Sequence, residues 1–219
     1  MGDFIERMGG LFEAAFRDPA PEEKHYGVAV AEVVDNFDDA HQARVQLRLP
    51  WLPGYLPWAR VAVPSAGDKR GVFFIPQVGD EVLVAFNQGD VREPFVIGSL
   101  WNGKDAPPAD DAQAKRVVRT PAGHEIEFDD VFKSIVITSC GGQKVTLDDD
   151  GIVLDSGKGK VKLTLSAKGE VTLEAKSISL EATERATLKA SSMKLESKFN
   201  IEVKAGGECA VIGQPVRLN

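Results

Sequence analysis

From Tyr26 to Leu100 the chain alternates apolar and polar residues in short bursts. In QARVQLRLPW, Val45, Leu47 and Leu49 alternate with Arg44, Gln46 and Arg48, which gives a strand one dry face and one wet face. The runs YGVAVAEVVDN, WARVAVPSAG, GVFFIPQVGDEVLVAFNQGD and EPFVIGSLW behave the same way. Five or six strands punctuated by Pro and Gly predict a small closed barrel over residues 25–103. Ahead of it, residues 1–24 place Phe4, Ile5, Met8, Leu11, Phe12, Ala15 and Phe16 at helical spacing, with Pro19 as a stop and Gly9 and Gly10 as weak points. A short amphipathic helix is expected there, either docking a partner or folding onto its own domain. Residues 104–115 are polar and rich in Pro, Ala and Asp, and read as a linker.

From residue 116 to 219 the bursts are thinner and carry no large side chains in regular positions. Leu165, Leu173, Leu180, Leu188, Leu195, Val203, Val211 and Leu218 follow one another at spacings of 8, 7, 8, 7, 8, 8 and 7 residues. Such a quasi-octad predicts one short strand and one tight turn per repeat, a solenoidal β architecture. A repeat this short cannot enclose a core by itself, and a lone ribbon would leave one apolar face wet and both edges open. Three copies wound about a threefold axis solve both problems, because inward aliphatics meet at the axis and each strand edge finds a neighbour. Some 12 strands stacked at about 4.8 Å would make a needle of roughly 60 Å. The competing arrangement, in which the repeats extend an ordinary β-sandwich or a flat single-layer sheet, stays open, although sandwiches prefer longer strands and larger core residues than these. The expected fold class is therefore all-β: a short N-terminal helix, a barrel, and an intertwined trimeric β-helix or β-prism.

Composition sharpens this division. Of the 16 aromatic residues, 13 precede residue 102, so the compact core is expected to end near Trp101. The net charge of −7 splits into −11 for residues 1–155 and +4 for residues 156–219, where 11 Lys/Arg face 7 Asp/Glu. An acidic first part disfavours nucleic acid as a partner. No apolar run approaches the roughly 20 residues of a membrane helix. The N-terminus has no basic region before an apolar stretch, so no cleaved signal peptide is expected and folding in a cytoplasm is.

Candidate chemistry is sparse. Cys140 and Cys209 are far apart and expected to be buried or half-buried thiols rather than a disulfide or zinc pair. The run DDDG at 148–151 reads as a turn, since it lacks the alternating ligands of a calcium loop. His124 and Asp129 fall on opposite strand faces and make no dyad. GKGK at 157–160 lacks the strand–loop–helix context of a phosphate loop and is expected to be a flexible turn. No catalytic residue, metal or cofactor is expected. Trp51, Tyr55 and Trp58 in PWLPGYLPW could stack on a base or a sugar, so an oligonucleotide- or oligosaccharide-binding barrel is the rival reading. An enzyme built on a β-helix is disfavoured by the repeat length and the missing polar cleft.

Four blocks in order resemble the baseplate assembly protein V family of contractile phage tails and the related spikes of type VI secretion and extracellular injection systems. They are RVQLRLPWL (44–52), WARVAVPSAGDKRGVFFIPQVGDEVLVAF (58–86), GDVREPFVIGSLWNG (89–103) and GHEIEFDD (123–130). The resemblance implies an OB-fold barrel followed by a homotrimeric spike that touches a target cell envelope, assembled into the tail tip or baseplate of a virion or injection particle. It implies a separate hub protein at the barrel end, for which Phe4, Ile5, Met8, Phe12 and Phe16 are the docking candidates. It also implies a PAAR-like tip protein on Gln214, Pro215, Val216, Arg217, Leu218 and Asn219. The chain departs from some relatives: the dozen residues between Gly103 and Arg116 leave no room for an inserted lysozyme domain. No hub domain precedes the barrel in this sequence, and His25, His41 and His124 are remote from the C-terminus, so a histidine-held iron tip is not expected.

Overall fold

A computed structural model describes residues 24–216. The expected helix over 1–24, with its hub-docking candidates, lies outside the described residues but for Lys24, as do Arg217, Leu218 and Asn219. The described residues are all-β, with 14 strands and no helix. Strands β1 (Val28–Asp35), β2 (Arg44–Arg48), β3 (Trp58–Val61), β6 (Glu81–Asn87) and β7 (Asp90–Leu100) close a barrel in the order β1-β2-β3-β7-β6. Strands β4 (Ala66–Gly67) and β5 (Arg70–Gly71) form a small exposed hairpin between β3 and β6. The parallel β3–β7 pair, with Arg60 opposite Phe95, closes the ring; the other pairs are antiparallel.

The alternation read in the sequence is the barrel's packing rule. Val45, Leu47 and Leu49 are fully buried, together with Val33, Ala59, Val82 and Val84, and the whole buried cluster falls between residues 31 and 96. Leu52 and Tyr55 of the proline-rich loop pack against this core, which explains the loop's rigidity without a ligand. At the loop's start Trp51 lies 4.5 Å from the His25 ring and meets Phe86 edge-on at 6.2 Å.

Register separates the two ends of the barrel. Val28 of β1 faces Ala85, near the end of β6, so His25, Trp51 and Phe86 share one end. Glu81, the start of β6, faces Leu100, the last residue of β7. The chain therefore enters at one end of the barrel and leaves toward the later strands at the other.

Strands β8 (Lys115–Arg119), β9 (Glu125–Asp129), β10 (Ser134–Thr138), β11 (Lys144–Asp148), β12 (Gly151–Asp155), β13 (Val161–Ser166) and β14 (Val171–Ala175) form one antiparallel meander. This differs from one strand per layer starting at residue 116: here one chain supplies seven neighbouring strands. The reason is visible in the spacing. Strand starts fall 9 or 10 residues apart except for β11 to β12, long enough for five paired residues and a full reversal. Leu165 and Leu173 accordingly sit diagonally rather than in file, Leu165 opposite Val171 and Leu173 opposite Leu163.

Beyond Ala175 the character changes. Residues 177–216 contain no strand, and no backbone hydrogen bond to another part of the chain is seen among the described residues there. The backbone bends at regular points: Thr183 and Glu184, Ser191 and Ser192, Lys198 and Phe199, Gly206 and Gly207, Gln214 and Pro215. Leu180, Leu188, Leu195, Val203 and Val211 each lie three residues before a bend. The 7–8-residue step is thus the spacing from one bend to the next.

Candidate assembly interface

The meander has two unlike faces. Cross-strand register puts Phe128, Ile135, Leu147, Ile152, Leu165 and Val171 in one row. Two residues along, on the same face, run Val118, Ile126, Ile137, Val145, Leu154, Leu163 and Leu173. The other face is mostly charged or hydroxylic, and its pairs are made across strands: Lys115 to Glu127 at 3.1 Å and Arg119 to Glu125 at 3.4 Å. Two hydrogen bonds to the Glu127 carboxylate hold the Lys115 ammonium above its usual range. Val117, Val136 and Val153 are the apolar exceptions on the charged face.

Nothing in the described part of the chain covers the apolar face. Ile126, Phe128, Ile135, Ile137, Leu154 and Leu173 are each more than a third exposed. A soluble chain rarely leaves so large and continuous an apolar patch uncovered, and such a patch marks a protein contact. Covering these half-exposed side chains is worth on the order of 1 kcal/mol apiece. The same imbalance continues past the sheet: Leu180 is 87% and Leu188 77% exposed, with unpaired backbone beside them. Of the predicted ladder, the structure brings Leu165 and Leu173 onto the apolar face and leaves Leu180, Leu188, Leu195, Val203 and Val211 on extended segments. Leu218 lies outside the described residues. The rows from Val118 to Leu163 escaped the octad because hairpin spacing, not octad spacing, governs them; simple alternation within GHEIEFDD, KSIVITS, QKVTLDDDG and GIVLDS carries their signal.

The remaining candidates resolve into local structure. The Asp148 carboxylate accepts the backbone N–H groups of Asp150 and Gly151, so DDDG is a turn. GKGK is also a turn, with Gly157, Lys158 and Gly159 all at positive φ. Buried Asp129 accepts the N–H groups of Val131 and Phe132, while His124 Nδ1 accepts the Cys140 N–H at 3.3 Å. The thiols correct the sequence reading: Cys140 and Cys209 are exposed in the chain, Cys140 because it occupies a turn at the sheet's edge. Among the described residues, no group of three or more His, Cys, Asp or Glu is placed to hold a metal ion. At the entry end of the barrel, Tyr26, Val28, Val30, Trp51 and Phe86 line an open apolar concavity.

The family comparison divides the chain as the fold does. A model described as the type VI secretion system/phage-baseplate injector OB domain matches residues 29–101. One described as the phage baseplate V C-terminal trimerisation domain matches residues 115–179, the span of the apolar-faced meander. The two together take in more than half of the 219 residues. Among curated relatives, the actin cross-linking toxin VgrG1 of Vibrio cholerae is 30% identical over 132 residues, 52% of this chain and 12% of that protein. The type VI secretion system spike protein VgrG3 of the same species is 33% identical over 110 residues, 44% of this chain and 10% of its own length. A third, the spike protein VgrG5 of Pseudomonas aeruginosa, is 41% identical over 58 residues, 26% of this chain and 7% of its own. The chain thus spans about a tenth of the length of these larger relatives. By fold and by both family matches, the chain belongs to the baseplate V and type VI secretion spike family.

Proposed function

We propose that this chain is the homotrimeric central spike of a contractile injection machine or phage tail baseplate. The observation that carries the reading is the uncovered apolar face of the 115–175 meander, coincident with the matched trimerisation domain. Three such sheets turned inward make a triangular prism with a dry interior, and the charged faces keep its outside soluble. Below the prism, the extended segments of 177–216 would pair between chains, one strand from each per layer, with Leu180, Leu188, Leu195, Val203 and Val211 at the axis.

The mechanism is mechanical. Axial force enters at the barrel end and must reach a small area of target envelope without buckling the shaft. Continuous interchain hydrogen bonding around an aliphatic core resists both bending and unravelling. The barrel's entry end faces away from the shaft, which suits hub docking there through Phe4, Ile5, Met8, Phe12 and Phe16. At the far end Gln214, Pro215, Val216, Arg217, Leu218 and Asn219 would form the platform for a PAAR-like tip.

Light scattering tests the assembly directly. Three chains of 23.6 kDa make 70.8 kDa, and a particle of that mass that resists SDS without boiling is expected. A stable 23.6 kDa monomer would exclude the spike reading and favour an independent binding barrel.

A further inference from the structure

The two motifs that the chemistry left idle, the acidic DDDG turn and the basic GKGK turn, lie at opposite edges of the meander. One edge carries the turns 120–124, 139–143 and 156–160, linked by the Cys140 N–H to His124 Nδ1 bond. The other carries 130–133, 149–150 and 167–170, linked by the Ala167 N–H to Asp150 carbonyl bond at 2.8 Å and by Lys133 Nζ lying 4.0 Å from Asp149. Strand β12 separates the GKGK turn from the DDDG turn, a distance of roughly 17 Å for five residues. Lys158 and Lys160 therefore cannot meet Asp149 and Asp150 of their own chain.

Cyclic threefold symmetry changes that. Its contacts are heterologous, so the first edge of one sheet must abut the second edge of the next. The apolar rows run along the stacking direction; aligning them with the axis lays the strands across it, and the strand count then fixes the level of every turn. The 149–150 turn joins β11 to β12 and the 156–160 turn joins β12 to β13, so across a subunit boundary they stand one strand spacing apart, about 4.8 Å. We infer that in the trimer, and resting on the trimeric reading above, each protomer's Lys158 and Lys160 seat against Asp149 and Asp150 of the neighbouring copy. The other charged groups near this level are Lys133, 4.0 Å from Asp149 of its own copy, Asp148 beside it, and Lys168 and Glu170 one turn below. Lys168 and Glu170 cancel each other, and one lysine against Asp148, Asp149 and Asp150 leaves the turn acidic. The turns 120–124 and 139–143 contain no Asp, Glu, Lys or Arg, so the pairing sets one vertical register among several that the apolar rows alone would tolerate.

Zero-length carbodiimide coupling of the wild-type protein, followed by peptide mass spectrometry, reads the pairing. Dimer and trimer bands on a denaturing gel are expected, with Lys158 or Lys160 joined to Asp149 or Asp150; the in-chain distance makes that link intermolecular. A 70.8 kDa particle whose Lys158 and Lys160 couple elsewhere, or not at all, overturns the register while leaving the trimer standing. A monomer by light scattering sinks the trimeric reading itself. As a second readout, the Lys158→Glu/Lys160→Glu variant should lower the trimer's melting midpoint at low salt and lose this link. Adding Asp149→Lys/Asp150→Lys should restore both, and failure of the combined variant to recover either one overturns the inference.

Discussion

At the scale of single residues, Asp38 ties the β1–β2 loop to the start of β2. This side chain, buried in the β1–β2 loop, accepts the N–H groups of Ala40, Gln42 and Arg44 and the Arg44 guanidinium at 2.8 Å. The Arg44 hydrogen bond, aided by the backbone donors, holds its carboxyl well below the usual carboxylate range. A depressed carboxylate contributes stability that is complete above its unfolded value near 3.9 and lost as pH falls toward the folded value. Asp38→Asn should therefore lower the melting temperature at pH 7, and the gap to wild type should narrow progressively below about pH 4; a gap independent of pH would contradict the assignment. Asp90, held at about 2 by its Arg92 pair, is a weaker case, because both partners are substantially exposed and solvent-screened. In the meander, Gly151 opens β12 with φ at 137°. A Cβ there would strike the Leu165 carbonyl oxygen of the facing strand. Gly151→Ala should thus destabilise the meander beyond the roughly 1 kcal/mol scale of an ordinary glycine effect, seen as a drop in denaturation midpoint, whereas Gly123→Ala, with open space around it, should cost less.

At the scale of elements, the face rather than the residue type decides the outcome. Leu163 and Thr164 are neighbours on β13, the first on the apolar face and the second on the charged one. In the proposed prism, Leu163→Asp would place three carboxylates at one level of its interior, at a cost on the order of several kcal/mol each, and should abolish trimerisation on a sizing column with light scattering. Thr164→Asp should leave the trimer intact; equal effects would mean that the apolar face is not the interface. This element also marks the limit of what the chain's pattern discloses. Alternation at Val45, Leu47 and Leu49 revealed the barrel because a closed barrel has one inside, and period two alone assigns it. The octad from Leu165 onward revealed regular segments but not their partners. A 7–8-residue step fits either a hairpin or a corner, and the difference lies in whether the backbone reverses. Between β13 and β14 it reverses at Gly169, in the left-handed region at φ 85°, while at Ser191 and Ser192 the chain only bends. The polarity pattern is the same in both places, so it could not distinguish an in-chain meander from an interchain winding. The exposed thiols were misread for a related reason: Cys140 lies in a turn, where side-chain type says little about burial.

At the scale of the whole molecule, the described chain divides into two parts that meet their own backbone hydrogen bonds and one that does not. The barrel and the meander pair their strands within the chain; among the described residues, 177–216 make no backbone–backbone hydrogen bond. Native structures leave few such groups unpaired once they are removed from water. If the lower shaft is wound from three chains, its amides from Leu180 to Val211 must be protected in the trimer even though no single chain protects them. Hydrogen exchange with mass spectrometry separates the cases: the segments around Leu180, Leu188, Leu195 and Val203 should exchange as slowly as β10 or β12, with faster exchange at the intervening bends. The Leu163→Asp variant, monomeric by the argument above, should lose protection across the whole tail while its barrel amides stay slow, because the barrel core from Ala31 to Val96 is self-contained. Tail amides that exchange freely in an intact trimer would confine the interchain contact to the meander. Force would then pass through a rigid prism into a slack end, which is incompatible with a shaft that pierces.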